Sequence, residues 1–155
     1  MIKITLLKNY LDQRFKDLFT KYFLELNITL DSDTKIFDFM QKSVKSENLK
    51  TYVYIEQNEF LGFIMFQEEV FTSSSEFFQE KTLFIREYFV VSEKRKLGIG
   101  QLLLNQCENY AKKLKIHKLI LTTHTAKDYY INRGYLIDSS YSAKNGHEVF
   151  VKYLK

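Results

Sequence analysis

The stretch from Leu83 to Leu114 constrains the fold more than any other part of the chain. It reads as an apolar strand over residues 83–91, a short polar turn, a basic loop carrying glycines, and an amphipathic helix. Residues 83–91 are dense in β-branched and aromatic side chains, which suit a packed, pleated surface. Beyond Gly100 the apolar positions Leu103, Cys107, Tyr110, Ala111 and Leu114 recur every three or four residues, which predicts one buried helix stripe. Between strand and helix lies Arg95-Lys96-Leu97-Gly98-Ile99-Gly100. Glycine lets backbone come close to a ligand, and a helix start leaves several N–H groups without intrahelical partners. With the helix dipole and the charges of Lys94, Arg95 and Lys96, the segment is an expected anion site, suited to a phosphate ester.

The remaining elements follow from periodicity. Ile2–Leu7 reads as a strand, and Tyr10–Leu26 as a helix with Leu11, Phe15, Leu18, Phe19, Tyr22, Phe23 and Leu26 on one stripe. Asp31-Ser32-Asp33 offers N-cap chemistry for a second helix, Thr34–Val44. Strands at Thr51–Glu56 and Phe60–Phe66 are joined by a hairpin at Gln57-Asn58-Glu59, and Thr72–Ser75 is the one low-complexity patch. After the central helix come a strand at His117–Thr123, a short helix at Ala126–Asn132 closed by Gly134, and strands at Tyr135–Ser140 and Glu148–Leu154 turned at Asn145-Gly146. The order β-α-α-β-β-β-α-β-α-β-β describes a mixed α/β protein.

At 155 residues the chain is expected to be a single domain, 1–155, burying about two-thirds of its unfolded surface. Fourteen Phe and eleven Tyr predict a core rich in rings. The longest apolar run, Phe60–Phe66, is too short to cross a bilayer, and Met1–Leu7 lacks signal-peptide anatomy, so no membrane partner is expected. A single cysteine, with no internal disulfide available, fits a reducing cytoplasm. Cys107 lies on an apolar stripe and reads as inert core, and the three His and one Cys have no metal-ligand spacing, so no metal is expected. The window 92–118 holds seven Lys/Arg against two Glu. Its lysines gather at the two ends of a helix rather than along one face, which argues against a nucleic-acid partner. A P-loop is excluded because Gly-Lys-Ser/Thr never occurs. A dinucleotide fingerprint would want a small residue at Leu103 and an acid near Thr122, Thr123 or His124.

Arg95-x-x-Gly98-x-Gly100 after an apolar strand, followed by Ala126 to Tyr135 with Tyr129-Tyr130 and Gly134-Tyr135, resembles the GNAT superfamily of N-acetyltransferases. The likeness covers roughly residues 50–154. Gly62-Phe63-Ile64-Met65-Phe66 and Tyr88–Arg95 are similar to the spermidine/spermine acetyltransferase type. The resemblance implies a central mixed, mostly antiparallel sheet with helices on both faces and two splayed strands, here 83–91 and 117–123, holding acetyl-CoA. It places Tyr88, Val90 and Val91 against the pantetheine arm, and Arg95, Lys96, Leu97, Gly98, Ile99, Gly100 and Gln101 against the diphosphate. Thr123 falls at a cofactor-contacting position where the family usually has Asn. Tyr130 corresponds to the tyrosine that protonates the departing thiolate, a transfer close to thermoneutral between a phenol near pKa 10 and a thiol near about 8.5. The acceptor would be an amine, from a polyamine, an amino acid or a protein, and a homodimer is implied by analogy.

The residue that removes the amine proton is left open by the sequence. An alkylammonium with a pKa of about 10 costs roughly 4 kcal/mol to present as a free amine at pH 7, so a carboxylate or a water held by one helps. Arg86-Glu87 stands where the polyamine enzymes have Glu-Asp. Strand alternation aims Glu87 at the opposite face, and a one-residue bulge would restore it. Glu87 as base, a water relay and an acceptor that arrives neutral all remain, while Arg86 suits a carboxylate on the acceptor. The competing class is a non-catalytic acyl-CoA-binding module.

Overall fold

The computed structural model describes residues 1–71 and 80–155, so the Thr72–Ser75 patch lies outside the described residues. The elements are β1 (Ile2–Leu6), α1 (Gln13–Glu25), α2 (Ile36–Ser46), β2 (Lys50–Glu56), β3 (Glu59–Phe71) and β4 (Glu80–Val90). A 3₁₀ turn at Ser92–Lys94 leads into α3 (Ile99–Lys113), and β5 (Lys118–Thr123), α4 (Lys127–Ile131), β6 (Leu136–Ile137) and β7 (Glu148–Tyr153) complete the chain. The expected element order is the observed one. The strands form a seven-stranded sheet in the order β1-β2-β3-β4-β5-β7-β6. β4 and β5 pair in parallel at Leu83↔Leu119 and Phe84↔Ile120, while β1–β2, β2–β3, β5–β7 and β6–β7 are antiparallel. The chain divides into two compact units, residues 1–67 with 87–107, and residues 68–86 with 108–155.

The first unit is built on aromatic rings. Asp12 caps α1, its carboxylate accepting from the Arg14 amide at 2.9 Å. The stripe Phe15, Leu18 and Phe19 is buried, and Phe15 and Phe19 meet Phe37 and Phe63 at centroid separations of 5.7–6.1 Å. Tyr10 is not in the helix as expected. It lies before the cap, fully buried, with its hydroxyl donating to Thr51 Oγ1 at 2.7 Å and its amide donating to Gln41 Oε1 at 2.7 Å. α2 begins two residues later than expected, and none of Asp31, Ser32 or Asp33 caps it. The Ile36 amide donates instead to Thr34 Oγ1 at 3.3 Å.

β2 and β3 turn tightly at Gln57 and Asn58, with φ of 51° and 65°, the left-handed pair that a two-residue hairpin of matching twist requires. Their register shifts between Tyr54 and Ile55, leaving Leu61 as an extra residue whose carbonyl accepts the Val91 amide at 3.0 Å. Gly62, next along, is a glycine of necessity. A Cβ there would sit 3.0 Å from the Phe89 carbonyl oxygen and 3.2 Å from Leu103 Cδ1.

In the second unit Ile120, Tyr141, Val149 and Val151 pack together with Phe84 and Ala143. Lys118, one of the seven basic residues of 92–118, is fully buried, donating to the Tyr141 hydroxyl at 2.7 Å and lying 5.0 Å from the Tyr153 ring centre. Leu114, expected on the buried stripe of α3, is exposed because the helix ends at Lys113 in a left-handed turn at Lys115. Gly134 does close α4: its amide donates to the Ile131 carbonyl, and that of Tyr135 to the Tyr130 carbonyl. Asn145-Gly146 does not join the last strands directly. β6 is two residues long, and the whole segment 138–147 connects it to β7.

Candidate functional site

The β4–α3 segment of the first unit is a short loop that leads from the end of β4 into α3. β4 ends at Val90, the 3₁₀ turn reverses the chain, and Lys96 and Gly98 adopt φ of 66° and 87° before α3 starts. Gly98 stands immediately before the helix, where its carbonyl accepts from the Leu102 amide at 3.1 Å. Among the described residues, the amides of Lys96, Leu97, Gly98, Ile99, Gly100 and Gln101 donate to no protein acceptor. No atom lies within 4 Å of where a Cβ on Gly98 would stand, so its backbone faces open space. Those donors sit at the positive end of a fifteen-residue helix. The donor set and the open cradle fit the diphosphate of a coenzyme.

The loop is held from both flanks. Buried Ile99, Leu103 and Leu104 anchor the start of α3, and the Tyr88 hydroxyl donates to the Gly100 carbonyl. Arg95 does not project from the loop. Its Nε donates to the Val90 carbonyl at 2.8 Å, its Nη2 pairs with the Glu25 carboxylate of α1, and its guanidinium lies 5.5 Å from the Phe89 ring centre. Lys96 and Leu97 are exposed, and Gln101 Nε2 donates to Asn105 Oδ1 at 2.8 Å. The Glu93 carboxyl is held below the usual range, chiefly by a hydrogen bond from its own backbone amide, with Lys21 and Lys94 adding positive field.

Alternation along β4 sends successive side chains to opposite faces. Tyr88 reaches α3, whereas Glu87 and Phe89 reach α1. Glu87 is half-buried there, and its Oε2 accepts a hydrogen bond from the Tyr22 hydroxyl. The Tyr22 ring is packed by Phe19, Phe23, Phe63 and Phe89 at centroid distances of 5.3–5.7 Å.

The second unit carries Thr123 and Tyr130. Thr123 Oγ1 accepts the Ala126 amide at 3.2 Å and so helps start α4. Tyr130 is half-buried on α4, its ring edge-on to Tyr129 at 5.2 Å and to Tyr135 at 5.7 Å. Beneath it Tyr135 is fully buried and donates to Glu108 Oε2 at 3.2 Å, and Lys152 pairs with the same carboxylate at 3.1 Å. A hollow of about 300 Å³, lined by Ile137, Asp138, Tyr141, His147 and Val149 among others, touches none of the residues expected at the site. Among the described residues no three of His, Cys, Asp and Glu are grouped as metal ligands.

The model of the acetyltransferase (GNAT) family matches residues 12–135. The chain belongs to the GNAT family. Solved structures agree on the fold. An acetyltransferase from Streptococcus agalactiae superposes with a TM-score of 0.73 at 14% identity, covering 99% of this chain and 98% of its own. A predicted acetyltransferase with acetyl-CoA from Clostridium acetobutylicum gives 0.72 at 15% identity, covering 92% and 95%. The PaiA N-acetyltransferase from Thermoplasma acidophilum, in complex with coenzyme A, gives 0.67 at 14% identity, covering 97% and 99%. At these identities the likeness establishes the GNAT fold. No curated protein matches the sequence.

Two residues of this GNAT chain went unnoticed in the sequence. Tyr22 reads there as one more ring on the α1 stripe, and Glu25 is not singled out, because their partners lie 65 and 70 residues away. The one available signal is the polar tip of Tyr22 on a stripe otherwise made of leucine and phenylalanine.

Proposed function

We propose that this GNAT protein is a single-domain acyltransferase that moves an acetyl group from acetyl-CoA to a primary amine by direct attack within a ternary complex. The observation carrying this reading is the row of unpartnered amides from Lys96 to Gln101 around the open backbone of Gly98. Those amides would take the diphosphate, and strand backbone near Val90 and Val91 would take the pantetheine amides. The Val91 amide is already committed to Leu61 and the Val90 carbonyl to Arg95, so neighbouring groups must share that task. The coenzyme supplies an activated thioester. On the protein side Glu87 accepts the amine proton, directly or through a water, and Tyr130 donates its phenolic proton to the thiolate that leaves. No covalent nucleophile is invoked: Cys107 is fully buried on α3.

The acceptor is proposed to be cationic, of the polyamine type, an amino acid or a protein amine, because seven Glu stand in 56–87 against two basic residues. A cytoplasmic homodimer completes the reading. No helix among the described residues is long and apolar enough to cross a membrane. The test is calorimetry with coenzyme A followed by thiol release from acetyl-CoA over a panel of amines. Micromolar binding with thiol release from one class of amine supports the enzyme. Arg86 at the usual position of the base favours a second reading, an acyl-CoA-binding module, for which binding without release from any amine is the expected result.

A further inference from the structure

α1 needs an apolar residue at position 22 to continue its stripe after Phe15, Leu18 and Phe19, and phenylalanine would serve. The chain instead has tyrosine, whose ring is fixed by four aromatic neighbours and whose hydroxyl donates to Glu87 Oε2. A ring so packed fixes the position of its hydroxyl oxygen, so the carboxylate bonded to it is confined as well. Glutamate on a strand otherwise samples several rotamers, and fixing one costs conformational entropy each time the group is used. A carboxylate offers about four acceptor sites over two oxygens, so one hydrogen bond from Tyr22 does not by itself saturate it. Such charge-assisted bonds are about twice as strong as neutral ones.

We propose that Tyr22 is the positioning residue for Glu87, holding its carboxylate in the orientation that receives the acceptor's proton. The proposal rests on Glu87 being the base in the reading above. In the step concerned, an N–H bond of the bound ammonium breaks and its proton passes to Glu87. The electron pair left on nitrogen forms the bond to the acetyl carbon, and the carbon–sulfur bond breaks with its pair departing on the coenzyme A thiolate, which Tyr130 protonates. Tyr22 gains and loses nothing.

The experiment is a double-mutant cycle of Tyr22→Phe and Glu87→Gln on the full chain. Rates are normalised to the coenzyme A-binding capacity of each preparation, so that loss of folded protein cancels. Each variant is assayed with an alkylamine that is protonated at the assay pH and with an amine that is already neutral. Glu87→Gln is expected to lower kcat for the alkylamine by about a hundredfold. Tyr22→Phe is expected to lower it by about tenfold, with KM for acetyl-CoA unchanged. In the Glu87→Gln background, Tyr22→Phe should then have almost no further effect. Both losses should shrink with the neutral amine, a selectivity that general loosening of the core would not produce. Equal losses for the two amines, or full additivity in the cycle, would overturn the role of Tyr22 while leaving Glu87 in place. A Glu87→Gln variant as active as wild type would remove the base and Tyr22's task with it. A wild-type protein that binds coenzyme A yet acetylates neither amine would overturn the enzyme reading itself.

Discussion

Replacing Gly98 with alanine separates backbone strain from ligand contact. Gly98 has φ of +87° and no atom within 4 Å of the added Cβ, so the methyl group meets open space and the cost is conformational. An L-residue in the left-handed region costs about 1–2 kcal/mol. For a chain of this size each kcal/mol lowers Tm by about 2–4 °C, so a fall of roughly 2–8 °C is expected. Gly146 has φ of +75° and is equally open, which makes Gly146→Ala a control of nearly the same strain in the other unit. That strain is present in the folded protein with and without ligand and therefore cancels from Kd. A Cβ that projects into a diphosphate site does not cancel. Calorimetry with coenzyme A should show Gly98→Ala weakened at least about tenfold, or 1.4 kcal/mol, and Gly146→Ala unchanged, while differential scanning fluorimetry shows both destabilised. Wild-type affinity in Gly98→Ala would mean that no ligand touches this backbone, and the reading of the loop would be wrong.

Tyr130→Phe keeps the ring against Tyr129 and Tyr135 and should lower kcat about ten- to a hundredfold with little change in coenzyme A affinity; unchanged turnover in a steady-state assay removes Tyr130 from the mechanism. Gly62→Ala places a Cβ 3.0 Å from the Phe89 carbonyl oxygen, which cannot retreat without moving β4. It should destabilise by roughly 1–3 kcal/mol in urea titration, and an unshifted midpoint would show that β4 yields. Burial pushes the Tyr10 phenol from 10.0 up to about 12. Between those values the unfolded chain loses a proton that the folded chain keeps, so stability falls as pH rises from about 10 to about 12, by up to about 3 kcal/mol. Urea titrations at pH 9 and 11 should show a smaller decline for Tyr10→Phe than for wild type; an equal decline would locate the titration elsewhere.

The order of elements and the β4–α3 loop were legible because both are local. Periodicity over a dozen residues marks α1 and α3, and the run from Arg95 to Gly100 carries its own conformational signature in Gly98. Boundaries were less legible where a long-range bond decides them. Tyr10 satisfies helical periodicity, yet Thr51 and Gln41 draw it out of α1, and neither partner can be read from the residues around Tyr10. The cap of α2 misled for a related reason. Three good capping residues precede it, yet Lys35 holds the N-cap position with no side-chain cap bond, and the Ile36 amide turns to Thr34 Oγ1. Asn145-Gly146 has turn chemistry, but the short β6 places that turn inside a longer connection.

Arg95 shows what a motif leaves out. The resemblance places it against the diphosphate, and the structure gives its guanidinium two protein partners, the Val90 carbonyl and the Glu25 carboxylate. The two contacts are not equivalent. The pair with Glu25 joins side chains that are 44% and 42% exposed, and exposed pairs contribute about 0–1 kcal/mol. A dianionic group at the loop competes easily with such a partner. The bond from Nε to the Val90 carbonyl, by contrast, ties the end of β4 to the turn just before the unpartnered amides. A guanidinium has five N–H donors, so it can keep that tie while Nη2 changes partner. Lysine at 95 would supply the charge without the fork that makes both contacts.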